Sequence, residues 1–420
     1  MRPAGGRGRR GLLVALALSG ALGAVACGRP DRGCVDEGCP PGQLCDRATG
    51  RCAETPDLPT ELEELGRHTS AAVAPDGTVW FATWARGKQH PVLAVASSVR
   101  GSDLTVELLA EGAGLAEGVS LALRSGAVAG EVGILVAFNG GAAGRLRLAE
   151  RDEEGWSIET IDARPAGEAR PGGGISLTVD AAGLPWIASH DEESRGLAVV
   201  HQEDTRWVTE AVDLPDDEGG RRGLYPAIVR GNGRTLVAHY DEGGGDLRVS
   251  SREAGGWQTT LLAGRDPVTG EDTGDVGRFA SLRLDPLGNA AVAFFDGTRG
   301  QLLFAFNDQG LLRIEVVDPG ANEGAALRPA SLVGQYASLV YGREGRPRIA
   351  YLDAAALDLM LAERSDTGWT RQRIVTEGVV GLWASQAVDA EGRSVVVHTR
   401  LSPGHAAGEP PRRTVEVVWP

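Results

Sequence analysis

A unit of 47 to 57 residues recurs seven times through this chain, and no other property narrows its possible folds as sharply. Residues 334–375 are the clearest copy. Within them period-two alternation appears in Ser338-Leu339-Val340-Tyr341, in Arg348-Ile349-Ala350-Tyr351, in 357–362 and in 369–375. Gly342-Arg343-Glu344-Gly345 and Asp366-Thr367-Gly368 supply turns between runs. Alternation sends successive side chains to opposite sheet faces, and Gly and Asp tolerate turn backbone. Four short antiparallel strands per copy, with no helical periodicity between copies, predict an all-β chain in which each copy is one blade of a β-propeller.

The copies align column by column. Each opens on a glycine, aromatic, small, serine pattern, as in Gly277-Arg278-Phe279-Ala280-Ser281 and Gly381-Leu382-Trp383-Ala384-Ser385. Gly223-Leu224-Tyr225-Pro226-Ala227 follows it, and weaker forms begin at Gly66, as Gly66-Arg67-His68-Thr69-Ser70, at Ala116 and at Gly172. Ser70, Ser120, Ser176, Ala227, Ser281, Ser338 and Ser385 are one column; Ala82, Ala137, Ala188, Ala238, Ala293, Ala350 and Val397 are another, as close packing near a crowded axis requires. Seven blades are expected, six being the nearest alternative. The last copy has only three strands, so residues 60–65 are expected to pair with it as its fourth, closing the ring and covering sheet edges.

Ahead of the repeats, Arg2, Arg7, Arg9 and Arg10 precede an apolar run, 11–24, too short to span a bilayer, and small residues then lead to Cys27. The segment resembles a bacterial lipoprotein leader. That resemblance implies export, lipidation at Cys27 and a place in the cell envelope, on the outer membrane or its periplasmic face, with membrane contact through the N-terminal lipid alone. The expected organisation is a signal peptide over 1–26, a Cys-rich segment over 27–52, a linker over 53–59 and the propeller over 60–420. Beyond Cys27 the cysteines are Cys34, Cys39, Cys45 and Cys52, an even count in a short span. In an exported chain they read as two disulfides, with Cys34–Cys45 and Cys39–Cys52 favoured among three pairings and zinc as the alternative.

The formal net charge of -15 and a single lysine, Lys88, argue against a nucleic-acid partner, because phosphate backbones are bound by clustered cations. Extra length gathers in the connections between blades, 162–174, 214–223, 264–277 and 319–334. In a propeller these share one face with the turns after second strands, so that top face is where binding is expected.

Four features fall there. His68, Tyr225, Phe279, Tyr336 and Trp383 form a partial aromatic rim suited to stacking sugar rings or apolar groups, or to packing between blades. Asp191, Asp241, Asp296 and Asp353 end second strands roughly 10 Å apart, too far to share an ion, and are expected to cap their own turns. Asp266, Glu271, Asp272 and Asp275 in the 264–277 loop are hard oxygen ligands that could take calcium. His190, His239 and His398 fall near one another's columns, without HExxH or GxSxG spacing to support a zinc site or hydrolase triad.

The turns Asp152-Glu153-Glu154-Gly155-Trp156 and Ser365-Asp366-Thr367-Gly368-Trp369 resemble Asp boxes, the turns between third and fourth strands in BNR-repeat, sialidase-like propellers. The resemblance covers residues 60–420 and implies a scaffold shared by lectins and glycosidases. The sialidase Phe-Arg-Ile-Pro segment has no counterpart in 66–86, and no catalytic residue is assigned. The expected function is a non-catalytic binding protein for a glycan or protein partner; the alternatives are a sialidase-like glycoside hydrolase and a structural envelope protein.

Overall fold

The computed structural model describes residues 43–46, 51–54, 65–86, 91–100, 102–111, 118–125, 132–140, 145–152, 155–161, 174–204, 206–216, 220–266, 268–320, 332–402 and 412–420. The leader, Cys27, Cys34 and Cys39 lie outside these residues. The repeat folds as the alternation predicts: Val333–Tyr341, Pro347–Asp353, Asp358–Ser365 and Gly368–Val375 make one antiparallel sheet in sequence order. Seven sheets, five of four strands, one of six and one of three, form a seven-bladed β-propeller whose blades are numbered 1 to 7 in chain order from Leu65.

The two small-residue columns face each other across the innermost strand pair of every blade. Ser70 stands opposite Ala82, Ser120 opposite Ala137, Ser176 opposite Ala188, Ala227 opposite Ala238, Ser281 opposite Ala293, Ser338 opposite Ala350 and Ser385 opposite Val397. The serines also join blade to blade. Each Oγ accepts the N–H of the residue after the equivalent position in the next blade: Ser70 from Leu121, Ser120 from Leu177, Ser176 from Ile228, Ser281 from Leu339, Ser338 from Gln386 and Ser385 from Ala71, at 2.8–3.0 Å. Only the junction from blade 4 to blade 5 lacks the acceptor, because Ala227 has no hydroxyl.

Further out, the fourth-strand tryptophans repeat the device. Trp207 Nε1 donates to Glu159 at 3.1 Å, Trp257 to Glu210 at 2.9 Å and Trp369 to Glu315 at 3.0 Å, and Trp156 donates to Glu107. In each case the glutamate belongs to the outer strand of the preceding blade. Between these two polar rows lies apolar packing. Ile134, Val136 and Trp156 pack with Ala82 and Trp84 between blades 1 and 2, and Val292 and Phe294 pack with Leu236 and Ala238 between blades 4 and 5. The core is thus divided into layers between blades and no single centre holds it.

Blade 7 comprises Val379–Val388, Ser394–Ser402 and Arg412–Val418. Residues 60–64, expected to complete it, lie outside the described residues, while Leu65 opens the inner strand of blade 1, Leu65–Val73. The ring closes through that inner strand: besides Ser385 to Ala71, Thr399 Oγ1 donates to the Gly66 carbonyl at 2.6 Å and Thr69 Oγ1 to that of Trp383.

The Cys-rich segment contributes a hairpin, Gln43–Asp46 with Arg51–Glu54, in which Cys45 stands opposite Cys52. Its first strand pairs in parallel with the outer strand of blade 2, Gly155–Thr160, extending that sheet to six strands.

Candidate functional site

The inner strands begin on the top face, and their start is where the regular ladder breaks. In blade 5 Arg278 faces Phe295 and Ser281 faces Ala293, so three steps on one strand match two on the other. Blades 1, 4, 6 and 7 show the same bulge. The extra residue turns into the left-handed region, and in all five blades it is the expected aromatic: His68 at φ 52°, Tyr225 at 48°, Phe279 at 55°, Tyr336 at 53° and Trp383 at 47°. Bulky side chains rarely adopt this backbone. Blades 2 and 3 have Gly118 and Gly174 at the corresponding position, and Gly118 also has positive φ, at 77°.

The structure brings all five aromatic residues together. Ring centroids lie 4.9 Å apart for Tyr225–Phe279, 4.9 Å for Phe279–Tyr336, 5.7 Å for Tyr336–Trp383 and 5.6 Å for Trp383–His68. Interplanar angles along this chain are 53°, 59°, 54° and 46°. Successive blades of a seven-fold ring turn by about 51°. Rings lying flat across the axis would be parallel to one another, and rings standing along the axis would differ by that step. The five therefore stand upright as an open collar, interrupted at the two glycine blades. All are half-buried.

Second-strand aromatics support the collar from outside. Tyr240 meets Tyr225 edge-on at 6.2 Å, and Phe295 meets Phe279 at 6.2 Å. Tyr240 is itself fixed: its hydroxyl donates to Asp275 at 2.8 Å, and Arg278 binds Asp275 at 2.8 Å and lies over the Tyr240 ring. Burial, with Asp275 beside it, pushes the Tyr240 hydroxyl up to about 12, so it stays a donor. Burial and the nearby Tyr225 likewise raise Tyr336.

The other sequence candidates resolve into structural roles. The second-strand aspartates cap their own turns: Asp191 accepts from Glu193 N at 3.0 Å, Asp241 from Gly243 N at 3.1 Å, Asp296 from Arg299 N at 2.8 Å and Asp353 from Ala355 N at 3.0 Å. The proposed calcium ligands are not gathered. Asp266 accepts from Val268 N and Thr269 N, Asp272 from Gly274 N, and Asp275 is held by Tyr240 and Arg278, while Glu271 is exposed. Among the described residues no group of three or more His, Cys, Asp and Glu could hold a metal. Asp266, Asp272 and Asp275 are thus used within the loop or against its neighbours.

The histidines also stay apart. His190 Nδ1 meets the Arg222 carbonyl at 2.7 Å, His239 Nε2 meets Ser250 Oγ at 3.1 Å, and His398 Nδ1 accepts from Gly381 N at 3.3 Å. What sequence reasoning missed is the charge lattice around His239. Arg222 binds Asp213 at 3.1 Å, Asp216 at 2.6 Å and Asp241 at 2.9 Å, and Arg248 binds Asp213 at 2.7 Å. These arginines are saturated by carboxylates and tie the 214–223 connection to blade 4.

In the blade 6 Asp-box-like turn, Ser365 Oγ donates to the Gly368 carbonyl at 3.0 Å and Gly368 adopts φ 120°, so the motif serves the turn itself. Two open troughs, of about 770 Å³ beside Trp369 and Arg371 and about 510 Å³ beside Arg230 and Arg252, lie away from the collar.

No family model matches the chain and no curated protein matches its sequence. Its fold is similar to that of a Dyadobacter fermentans protein of unknown function, with 15% identity and TM-score 0.47 over 90% of this chain and 99% of that one. It is also similar to the Aleuria aurantia lectin solved with Fucα1-6GlcNAc, with 11% identity and TM-score 0.47 over 75% of this chain and 97% of that one. The α-L-arabinofuranosidase of Fusarium graminearum gives 10% identity and TM-score 0.47 over 87% and 96%. Likenesses this low carry neither ligand nor chemistry from one chain to another.

Proposed function

We propose that this chain is an exported, lipid-anchored binding protein of the cell envelope whose aromatic collar takes a glycan on the top face. The observation that carries the reading is the repeated use of aromatic residues in left-handed backbone, at about 1–2 kcal/mol of conformational cost each, at a position where blades 2 and 3 use glycine. Strain of this kind persists at ligand clamps when the surroundings hold it in place. Upright, half-buried rings present faces and edges to a sugar's C–H surface, and Arg278, Asp275 and the Tyr240 hydroxyl supply polar groups beside them. The engaged arginines of the top face and the scattered carboxylates favour binding over hydrolysis.

A glycan array probed with the purified full chain, in calcium and in EDTA, tests this. Selective binding that survives EDTA and falls at least tenfold in Tyr336→Gly is expected. Binding to no glycan, or binding unchanged by Tyr336→Gly and Trp383→Gly, would remove the collar as the site.

A further inference from the structure

The outer strand of blade 5, Leu311–Asp318, differs from its counterparts. Leu311, Leu312, Ile314 and Val316 are 65%, 52%, 45% and 50% exposed, four of the ten exposed large hydrophobic residues among those described. Leu312 occupies the position where blades 2, 3, 4 and 6 carry tryptophan, and Thr260 stands where the preceding blade would supply its glutamate. The clasp is therefore missing here, and an apolar row is left on a sheet edge whose outward N–H and C=O groups have no neighbouring strand among the described residues.

This edge is complementary to itself. Laid antiparallel about Ile314, Leu312 falls opposite Val316, Arg313 opposite Glu315, and Ile314 opposite its own copy. Alternation puts Leu312, Ile314 and Val316 on one face and Arg313 and Glu315 on the other. We propose that two copies of this chain pair through these strands about a two-fold axis at Ile314, joining two blade 5 sheets into one of eight strands. The pairing sets Arg313 opposite Glu315 of the copy, with no like charges facing: Glu315 is fixed by Arg364 at 2.8 Å and Trp369 at 3.0 Å, and Arg313, 57% exposed, binds Asp308 at 2.6 Å, so the two meet as members of existing ion pairs. The outer edge of blade 2 already accepts an added strand, Gln43–Asp46, so these edges are geometrically open to pairing. One strand pair buries less than the ~1,200 Å² of a standard interface, so the dimer is weak and transient.

Sedimentation velocity of the full chain across a concentration series tests the pairing. A concentration-dependent dimer is expected, abolished by Ile314→Lys and weakened at least tenfold by Arg313→Glu, while Leu287→Lys, at an exposed site elsewhere, leaves it unchanged. Under mild oxidation Ile314→Cys is expected to cross-link to its own copy through residue 314. Leu312→Cys is not, since its two copies lie four positions apart in the pair. A chain that stays monomeric to millimolar concentration, a dimer indifferent to Ile314→Lys, or preferential cross-linking through position 312 would overturn the proposal.

Discussion

Left-handed backbone beneath an aromatic ring reverses an ordinary preference, and that reversal can be measured. In a regular strand Gly is less stable than Ala because it loses more conformational freedom on folding. At residue 279, with φ 55°, Ala keeps the steric cost that Gly escapes. Phe279→Gly is therefore expected to be more stable than Phe279→Ala by about 1 kcal/mol in urea titrations, although both lose the ring contacts to Tyr225 and Tyr336. The column of aromatic residues was legible in the sequence, but its backbone was not, because nothing in Phe279 or Trp383 announces a positive φ. His239 gives a second prediction. Burial, with Arg248 and Arg222 nearby, lowers it to about 3, against an ordinary value of 6.5, while Asp213 and Ser250 both face its Nε2. The unfolded state therefore takes up this proton first as pH falls. The stabilisation from a neutral His239 is complete above 6.5 and drains towards 3, at up to about 1.4 kcal/mol per pH unit. Urea midpoints measured from pH 7 to 4 are expected to fall less steeply in His239→Gln than in the parent.

Between elements, two polar clasps bracket the apolar layer at four of the seven junctions, and the sequence displayed both without revealing what they do. The serine column fixed the register, yet its hydroxyls reach the next blade, a contact visible only once the blades are set side by side. Trp207 and Glu210 stand three residues apart, on opposite faces of one strand, so Trp207 reaches back to Glu159 while Glu210 receives Trp257. A Trp-x-x-Glu spacing shared by blades 2 and 3 was the signal available. The acidic 264–277 loop offers oxygen ligands whose use composition cannot show: Asp266 and Asp272 cap turns, and Asp275 is held by Tyr240 and Arg278. The inner clasp predicts a pair of opposite effects. Ser281→Ala leaves the buried Leu339 N–H without its acceptor and is expected to cost about 1–3 kcal/mol. Ala227→Ser places a hydroxyl where Leu282 N–H has the matching position and is expected to add about 0.5–1.5 kcal/mol. Chemical denaturation of the two variants checks both signs.

In the whole ring six junctions are also linked by the chain running from blade to blade, whereas among the described residues the seventh joins residues 314 apart in sequence and holds by contacts alone. Ser385 to Ala71, Thr399 to Gly66, and Val395 and Val397 packed against Val79 and Phe81 carry that seam. Losing one hydrogen bond there should have a different consequence from losing one elsewhere. At an inner junction the blades on both sides remain tethered and flanked, so the loss is felt when the molecule unfolds as a whole. At the closing seam blades 1 and 7 can part without unfolding the rest, and the free energy of that local opening falls by the full value of the bond. Ser281→Ala and Ser385→Ala are thus expected to lower global stability by similar amounts, about 1–3 kcal/mol. Only Ser385→Ala is expected to accelerate native-state amide exchange in Leu65–Val73 and Val379–Val388 without denaturant. Equal acceleration in both variants would mean that the ring opens at any junction with equal ease, and that closure between the distant ends is no weaker than the bonds between neighbours.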